Sequence, residues 1–248
     1  MSSAKAKVVG AGLASAVAIA MLVWLGTWQL QRLAWKNEVV AQVAARSEAP
    51  PVPPPPSAEW RTLGLGSWSY RRVRAAGVFD HSREARVYTA LGEPKGRYGG
   101  PGYFILTPFT LREGGVVLVN RGFVPMDRAD PATRREGDRD GEVEVTGLLR
   151  EPEPRNGFTP ADDAAKRLFF VRDPGPIAEA LGVAPAAPFT IDADAGLNPG
   201  GLPQGGETRL AFPNRHLEYA LTWYGLAGAL LAVFMAFAWR TIRDERAA

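Results

Sequence analysis

The stretch VVGAGLASAVAIAMLVWLGTWQLQ, Val8 to Gln31, decides the architecture, because it carries no formally charged side chain. As a helix rising 1.5 Å per residue it reaches about 36 Å, enough to cross a hydrocarbon core of roughly 30 Å. Ala14-Ser15-Ala16 and Ala18-Ile19-Ala20 resemble small-residue cleavage sites, as in a removable signal. The apolar run continues past both, through Met21-Leu22-Val23-Trp24-Leu25, which is longer than a usual signal core. The reading is an uncleaved anchor. A second uncharged run, Tyr219 to Trp239, reaches about 32 Å. It is preceded by Pro213-Asn214, with Asn214 as the expected N-cap and Glu218 in the first turn, and it ends against Arg240 and Arg243.

Two spans put both termini on one side. Lys5 and Lys7 flank the first span and Arg240, Arg243 and Arg246 the second, which favours termini in the cytoplasm. Arg32, Lys36, Arg209 and Arg215 lie on the other side and weaken that argument. The N-terminus lacks the Arg- and Ser-rich amphipathic character of a mitochondrial transit peptide, so a bacterial inner membrane is the simpler address.

Composition excludes several functions. Of 248 residues, 46% are apolar and 22% charged, which looks globular only because the apolar runs are averaged away. There is no cysteine, hence no disulfide framework, thiolate metal site, iron–sulfur cluster or Cys-x-x-Cys-His haem attachment. Two histidines and four methionines are too few for a dedicated zinc or copper protein. A net charge of +3 without a Lys/Arg run argues against nucleic acid as a partner.

Between the spans, Leu33, Val39, Val40 and Val43 continue the helical rhythm of the first span. The run Pro50-Pro51-Val52-Pro53-Pro54-Pro55-Pro56 then stops it and is expected to act as a stiff spacer. Strand patterns follow at Tyr70–Phe79, Ala85–Leu91, Tyr103–Thr110, Val116–Asn120, Glu142–Leu149, Arg167–Val171 and Ala187–Ile191. Arg112-Glu113-Gly114-Gly115 supplies a hairpin turn, and one short helix is expected at Pro176–Leu181. The fold class is therefore integral membrane α+β: two transmembrane helices flanking one mainly antiparallel β extracytoplasmic domain. Residues 1–7 form a cytoplasmic N-terminus and 8–31 the first span. A helix extension with the Pro-rich linker occupies 32–59, and the periplasmic β-rich domain 60–213. The second span, with an interfacial start, covers 214–239, and 240–248 is a cytoplasmic tail.

Ionisable groups beside a membrane span are functional suspects. His216, Tyr219, Ala220 and Trp223 share one helical face. On the first helix Trp24, Trp28, Gln31 and Trp35 share another, with Arg32 one turn beyond Trp28. Helices packed side by side would bring these sets to one membrane surface as an aromatic cleft with an imidazole and basic residues at its rim. Such a cleft suits haem, which needs an imidazole for iron, apolar walls, and Arg for its propionates. A helix N-terminus also disfavours the imidazolium and keeps a lone pair available. The bland alternative is a membrane-interface belt, where Trp and Tyr collect and Arg meets lipid headgroups; spacing alone favours it.

Elsewhere the chemistry is thin. His81, in Phe79-Asp80-His81-Ser82-Arg83-Glu84, has no second His or Cys nearby and reads as a turn residue. In Asn120-Arg121-Gly122-Phe123-Val124-Pro125, read as a strand leading into a turn, Gly122 is placed for an unusual backbone angle and Arg121 for a buried ion pair. There is no Gly-x-Ser-x-Gly elbow, phosphate-binding loop or His-Glu-x-x-His. No enzyme is expected.

Several segments together resemble the Surfeit locus protein 1 family. Gly26-Thr27-Trp28-Gln29-Leu30-Gln31-Arg32-Leu33-Ala34-Trp35-Lys36 is similar to that family's Gly-x-Trp-Gln-x-x-Arg-x-x-Trp-Lys signature. Gly77-Val78-Phe79-Asp80, Gly102-Tyr103 to Thr107-Pro108, and Val119 to Pro125 resemble its strand end and central hairpin. Asn214-Arg215-His216-Leu217-Glu218-Tyr219-Ala220-Leu221-Thr222-Trp223 resembles the start of its Asn-x-His-Leu-x-Tyr-Ala-x-Thr-Trp motif, which continues to Ala227. Phe123 stands where Trp is common, and Phe169-Phe170-Val171-Arg172-Asp173 is less Tyr/Trp-rich than expected; both keep bulk.

The resemblance implies an assembly factor for haem–copper terminal oxidases of the cytochrome c oxidase type. It implies transient binding of haem a, received from haem A synthase and passed to oxidase subunit I, with His216 as axial iron ligand. Trp28, Arg32, Tyr219 and Trp223 join the expected cofactor face by the geometry above. The alternative is a scaffold that holds an assembly intermediate without touching haem. A third reading, an enzyme of haem A synthesis, is opposed by the lack of any redox cofactor motif.

Overall fold

A computed structural model of the chain describes residues 3–210 and 214–247. Pro213 and the outermost terminal residues of the expected cytoplasmic segments lie outside the described residues. The chain forms two compact units. One combines the N-terminal helix up to Gln42 with the C-terminal segment, and the other is Val43–Leu210.

Helix α1 runs Ser3–Glu48 and helix α3 His216–Ala247. Both are long and apolar enough to cross a membrane. α1 continues past the expected Val43 and stops only at Glu48, two residues before the first proline. Its last turns belong to the β-rich unit, where Val43 is buried and Arg46 Nη1 donates to the Gly66 carbonyl at 2.9 Å.

In that unit the strands are β1 Arg72–Phe79, β2 Ala85–Leu91, β3 Gly100–Leu111 and β4 Val116–Pro125. β5 is Glu142–Arg150, β6 Leu168–Phe169 and β7 Thr190–Ala193, with helix α2 at Pro174–Leu181. The order β1-β5-β7-β4-β3, with β3 also pairing β1, closes a five-stranded barrel. Twelve-residue β3 makes closure possible: its lower half pairs β2, and from Phe109 to Leu111 the same edge passes to β1. β2 and β6 extend the sheet outside the ring. Most pairs are antiparallel as expected, but β4–β7 and β2–β6 are parallel.

Alternation explains the interior. Val73, Ala75 and Phe79 from β1 and Val143, Val145 and Leu149 from β5 point inward to Phe109, Val117, Val119, Phe189 and Ile191. A second core lies under α2, where Ile177, Ala178 and Leu181 pack on Val87, Leu106, Leu118 and Phe169. α2 begins at Asp173, whose side chain accepts from Gly175 N–H, and ends at Gly182 in the left-handed region.

The proline run is not a free spacer. Val52 bridges Val73 on the stretch of β1 edge that β3 leaves open, and Pro55 is buried. The segment after it closes one end of the barrel with Trp60, Leu63, Leu65 and Trp68, Trp60 lying edge-on to Phe189 at 6.0 Å. The expected β6 shrinks to two residues, and β7 begins at Thr190 rather than Ala187. β4 does not turn at Asn120; it continues through a bulge, because Leu106 pairs Asn120 while Ile105 pairs Gly122.

Candidate functional site

In the helical unit α1 and α3 run antiparallel. Their less exposed residues repeat at three and four: Gly12, Ser15, Ile19, Leu22, Gly26, Gln29 and Leu33 on α1, and Ala220, Trp223, Ala227, Leu230 and Phe234 on α3. Small residues decide where the helices touch. A Cβ on Gly12 would sit 3.1 Å from the Phe234 ring, and one on Gly26 would sit 2.8 Å from the ring of Tyr224. Tyr224 OH also meets Thr27 Oγ1 at 3.0 Å.

His216 stands at the first turn of α3. Its N–H donates to Asn214 Oδ1 at 3.3 Å, so Asn214 caps the helix, and Asn214 Nδ2 in turn donates to Asn37 Oδ1 at 3.0 Å. The imidazole Nδ1 lies 2.7 Å from Gln29 Oε1. With a carbonyl oxygen as that neighbour, Nδ1–H is the donor, and in the neutral imidazole the lone pair is then on Nε2. The partner of His216 on α1 is thus Gln29, which the aromatic spacing does not single out. The signal that could have found it is the small-residue stripe of Gly12 and Gly26, on whose face Gln29 lies.

The expected Trp and Arg residues do not enter the seam. Trp24, Trp28 and Trp35 are 64%, 44% and 51% exposed, and the Arg32 guanidinium stacks 4.3 Å above the Trp35 ring. Their side of the helix pair is nevertheless shared. At 3.6 residues per turn, Trp28 and Arg32 lie about 100° and 60° from Gln29 in one rotational sense, and Tyr219 about 60° from His216 in the same sense. Because the helices are antiparallel, that sense brings all three to one side of the seam. Trp223 sits at the seam itself, its indole Nε1 buried without a hydrogen-bond partner among the described residues. The arrangement is a shallow aromatic flank, with His216 half-buried at its edge and Arg32 one turn outward.

The polar chemistry of the barrel is of another kind. The β4 bulge turns Arg121 inward until it is 1% exposed. Its guanidinium donates to Asp138 at 3.0 Å, Asn198 at 3.2 Å and the Gly137 carbonyl, and lies 5.6 Å from the Phe79 ring. Burial pulls its pKa below the ordinary value, against the hydrogen bond and charge of Asp138. His81 belongs to this cluster, with Nδ1 3.0 Å from Arg121 Nη1 and Nε2 3.1 Å from the backbone amide of Arg139. Both ring nitrogens are engaged by groups of the β-rich unit. A second network centres on Asp192, which takes Arg172 at 2.6 and 2.8 Å, Thr208 at 2.7 Å, Asn120 at 3.1 Å and Arg150 at 3.3 Å. Burial would raise its pKa, but the two guanidinium groups hold the carboxyl below its usual value. Glu84 and Arg134 form a third buried pair, bound through both carboxylate oxygens.

Comparison with known proteins places these features. A profile of the SURF1 family matches residues 16–228, from within α1 through the barrel to within α3. The chain belongs to the SURF1 family. Surfeit locus protein 1 of Xenopus tropicalis is 37% identical over 216 residues, covering 83% of this chain and 68% of the frog protein. The human Surfeit locus protein 1 is 38% identical over 216 residues, covering 83% and 70%. A SURF1-like protein of Drosophila melanogaster is 34% identical over 220 residues, again covering 83% and 70%. The SURF1 match contains both partners of the Gln29–His216 contact and all seven strands.

Proposed function

We propose that this chain is an assembly factor for haem–copper terminal oxidases that binds haem a transiently and assists its insertion into subunit I. Membership of the family supports the assembly role, and the oriented imidazole of His216 supports the haem role. The donor set fits the group: the Gln29 carbonyl oxygen takes the Nδ1–H, which orients the ring and leaves Nε2 of the neutral imidazole as the ligand. Tyr219 and Trp223 would supply aromatic walls, Trp223 with a buried indole N–H still unpartnered among the described residues. Trp28 and Arg32, on the same side of the seam, would supply a wall and a cation for carboxylates at the wet end. When bound, haem a would bring iron that needs one such axial nitrogen.

A single ligand on an open flank suits a carrier, since one-sided ligation permits release. His81 is not a second ligand in this reading, because the barrel's own groups occupy its ring. The two helices would lie in an inner membrane with the β-rich unit on the extracytoplasmic side. Haem A synthase would be the donor and subunit I the acceptor.

The test is co-expression with the haem A synthesis enzymes, purification in detergent, and absorbance spectra of wild type and His216→Ala. Haem a in the wild type, lost or shifted in ligation in the variant at equal protein level, supports the proposal. If neither carries haem while both retain oxidase subunits, the protein is a scaffold and the aromatic flank only meets lipid.

A further inference from the structure

His216 is tied to α1 at two points. Gln29 takes its ring Nδ1–H, and Asn214 takes its backbone N–H at 3.3 Å. Asn214 is held in turn by Asn37, its Nδ2 donating to Asn37 Oδ1 at 3.0 Å. The direction of this relay is fixed. A backbone N–H can only donate, so the oxygen end of Asn214 faces His216 and its NH2 end faces α1, where Asn37 must present its own oxygen. On α1, Gln29, Leu33 and Asn37 follow one another at four-residue steps and share a face. The two anchors therefore stand about 12 Å apart along the helix axis.

The packing of the seam is set elsewhere. Thr27 Oγ1 donates to the Val23 carbonyl at 2.9 Å, so Tyr224 OH is the donor to Thr27 at 3.0 Å. Gly26 against Tyr224 and Gly12 against Phe234 allow the close approach. Asn214 also caps α3 from its own chain, with or without α1. What the Asn37 bond adds is direction. A cap free to swing lets the first turn of α3 fray and pivot about the single Gln29 contact. A cap tied to α1 fixes the height and rotation of that turn, and with them the line along which His216 Nε2 points.

We propose that Asn37 is a positioning residue for His216, aiming its Nε2 through Asn214 at the iron of a haem on the aromatic flank. The purpose of this device rests on the haem reading of His216, but the orientation of the ring is measurable without haem. Asn37 is exposed, so its bond is of ordinary strength and the effect of losing it is moderate.

The experiment compares wild type, Asn37→Leu and Asn37→Asp as full chains in detergent. Leu branches at the same carbon as Asn and is the better helix former, but it accepts no hydrogen bond. Asp keeps an acceptor for Asn214 and is the poorer helix former. A role in helix stability and a role in positioning therefore rank the two variants in opposite order. Nitrogen-15 NMR of histidine-labelled protein without haem is the first readout, with His216 assigned against His216→Ala because the chain holds two histidines. Wild type and Asn37→Asp should show the Nδ1–H tautomer, and Asn37→Leu a mixture with the Nε2–H form. Loss of haem a to apomyoglobin is the second readout, and it should be about fivefold faster for Asn37→Leu alone. Wild-type nitrogen shifts in Asn37→Leu, a tautomer mixture in Asn37→Asp as well, or unchanged haem retention in Asn37→Leu overturns the proposal. If the wild type takes up no haem while the nitrogen shifts still follow Asn37 as expected, the haem reading falls and Asn37 stands as the residue that orients His216.

Discussion

Asp192→Asn tests whether the buried charges hold the barrel shut. Asp192 lies on β7, the four-residue strand that joins β4 to β5, and its carboxylate is 4% exposed. The substitution keeps shape but removes the charge that Arg172, itself 4% exposed, faces at 2.6 and 2.8 Å. Of its two carboxylate partners among the described residues Arg172 then keeps Glu153, and Arg150 loses its carboxylate at 3.3 Å. Stranding one member of a buried pair costs about 3 kcal/mol or more. At roughly 2–4 °C per kcal/mol for a unit of this size, Tm should fall by about 6–12 °C at pH 7. The acid dependence has a definite sign. Asp192 is held below the ordinary carboxyl value, so its stabilisation is present above about pH 4 and is lost as pH falls through the folded-state value. The gap between wild type and variant should therefore narrow on acidification. Thermal unfolding followed by near-UV circular dichroism, in detergent from pH 7 downward, measures both. A Tm within about 2 °C of wild type at pH 7, or a gap that widens in acid, refutes the reasoning. Adding Arg172→Met to the variant should recover part of the loss, because the orphaned charge goes with it.

Gly122→Ala should destabilise the barrel by about 3 kcal/mol or more, since φ is +134° there and a Cβ would stand 2.2 Å from the Gln204 carbonyl. A denaturant titration should show a lowered midpoint, and a midpoint equal to wild type would show that the bulge can relax. Gln29→Leu removes the acceptor of the His216 Nδ1 proton. If haem is bound as proposed, this variant should weaken its retention about 10-fold or more while leaving the helices folded. Spectra taken during haem extraction by apomyoglobin, alongside far-UV circular dichroism, separate the two, and unchanged retention would remove Gln29 from the site.

Much of the β-rich unit was readable in the sequence. β2 was placed at its observed ends, and β5 differs only by Arg150, because each alternates between a packed and a solvated face. β6 and β7 differ from their sequence patterns since their residues are buried all round or nearly so, and a short apolar run has no period to set its limits. The Arg121-Gly122 turn failed for another reason. A bulge looks like a turn to local sequence, since both want glycine, and only the partner strand shows that pairing resumes on the other side. The proline run looks like a spacer by sequence because polyproline makes no internal hydrogen bonds, yet Val52 within it finds its partners on β1.

The sequence by itself determined the two long apolar helices, the alternating strands between them, the capped start of α3 and the family motifs that run from α1 to α3. These follow from local chemistry: missing charge, period, cap and turn residues. Which face of α1 meets His216 was decided only by tertiary packing. Aromatic side chains dominated the reading of that helix, but helices approach where side chains are smallest, so Gly26 and its neighbours turned Gln29 inward and left Trp28 and Arg32 outside. Closure of the barrel was likewise decided in three dimensions, by one strand long enough to leave β2 and reach β1. No single strand carries that information, because it resides in the register between them.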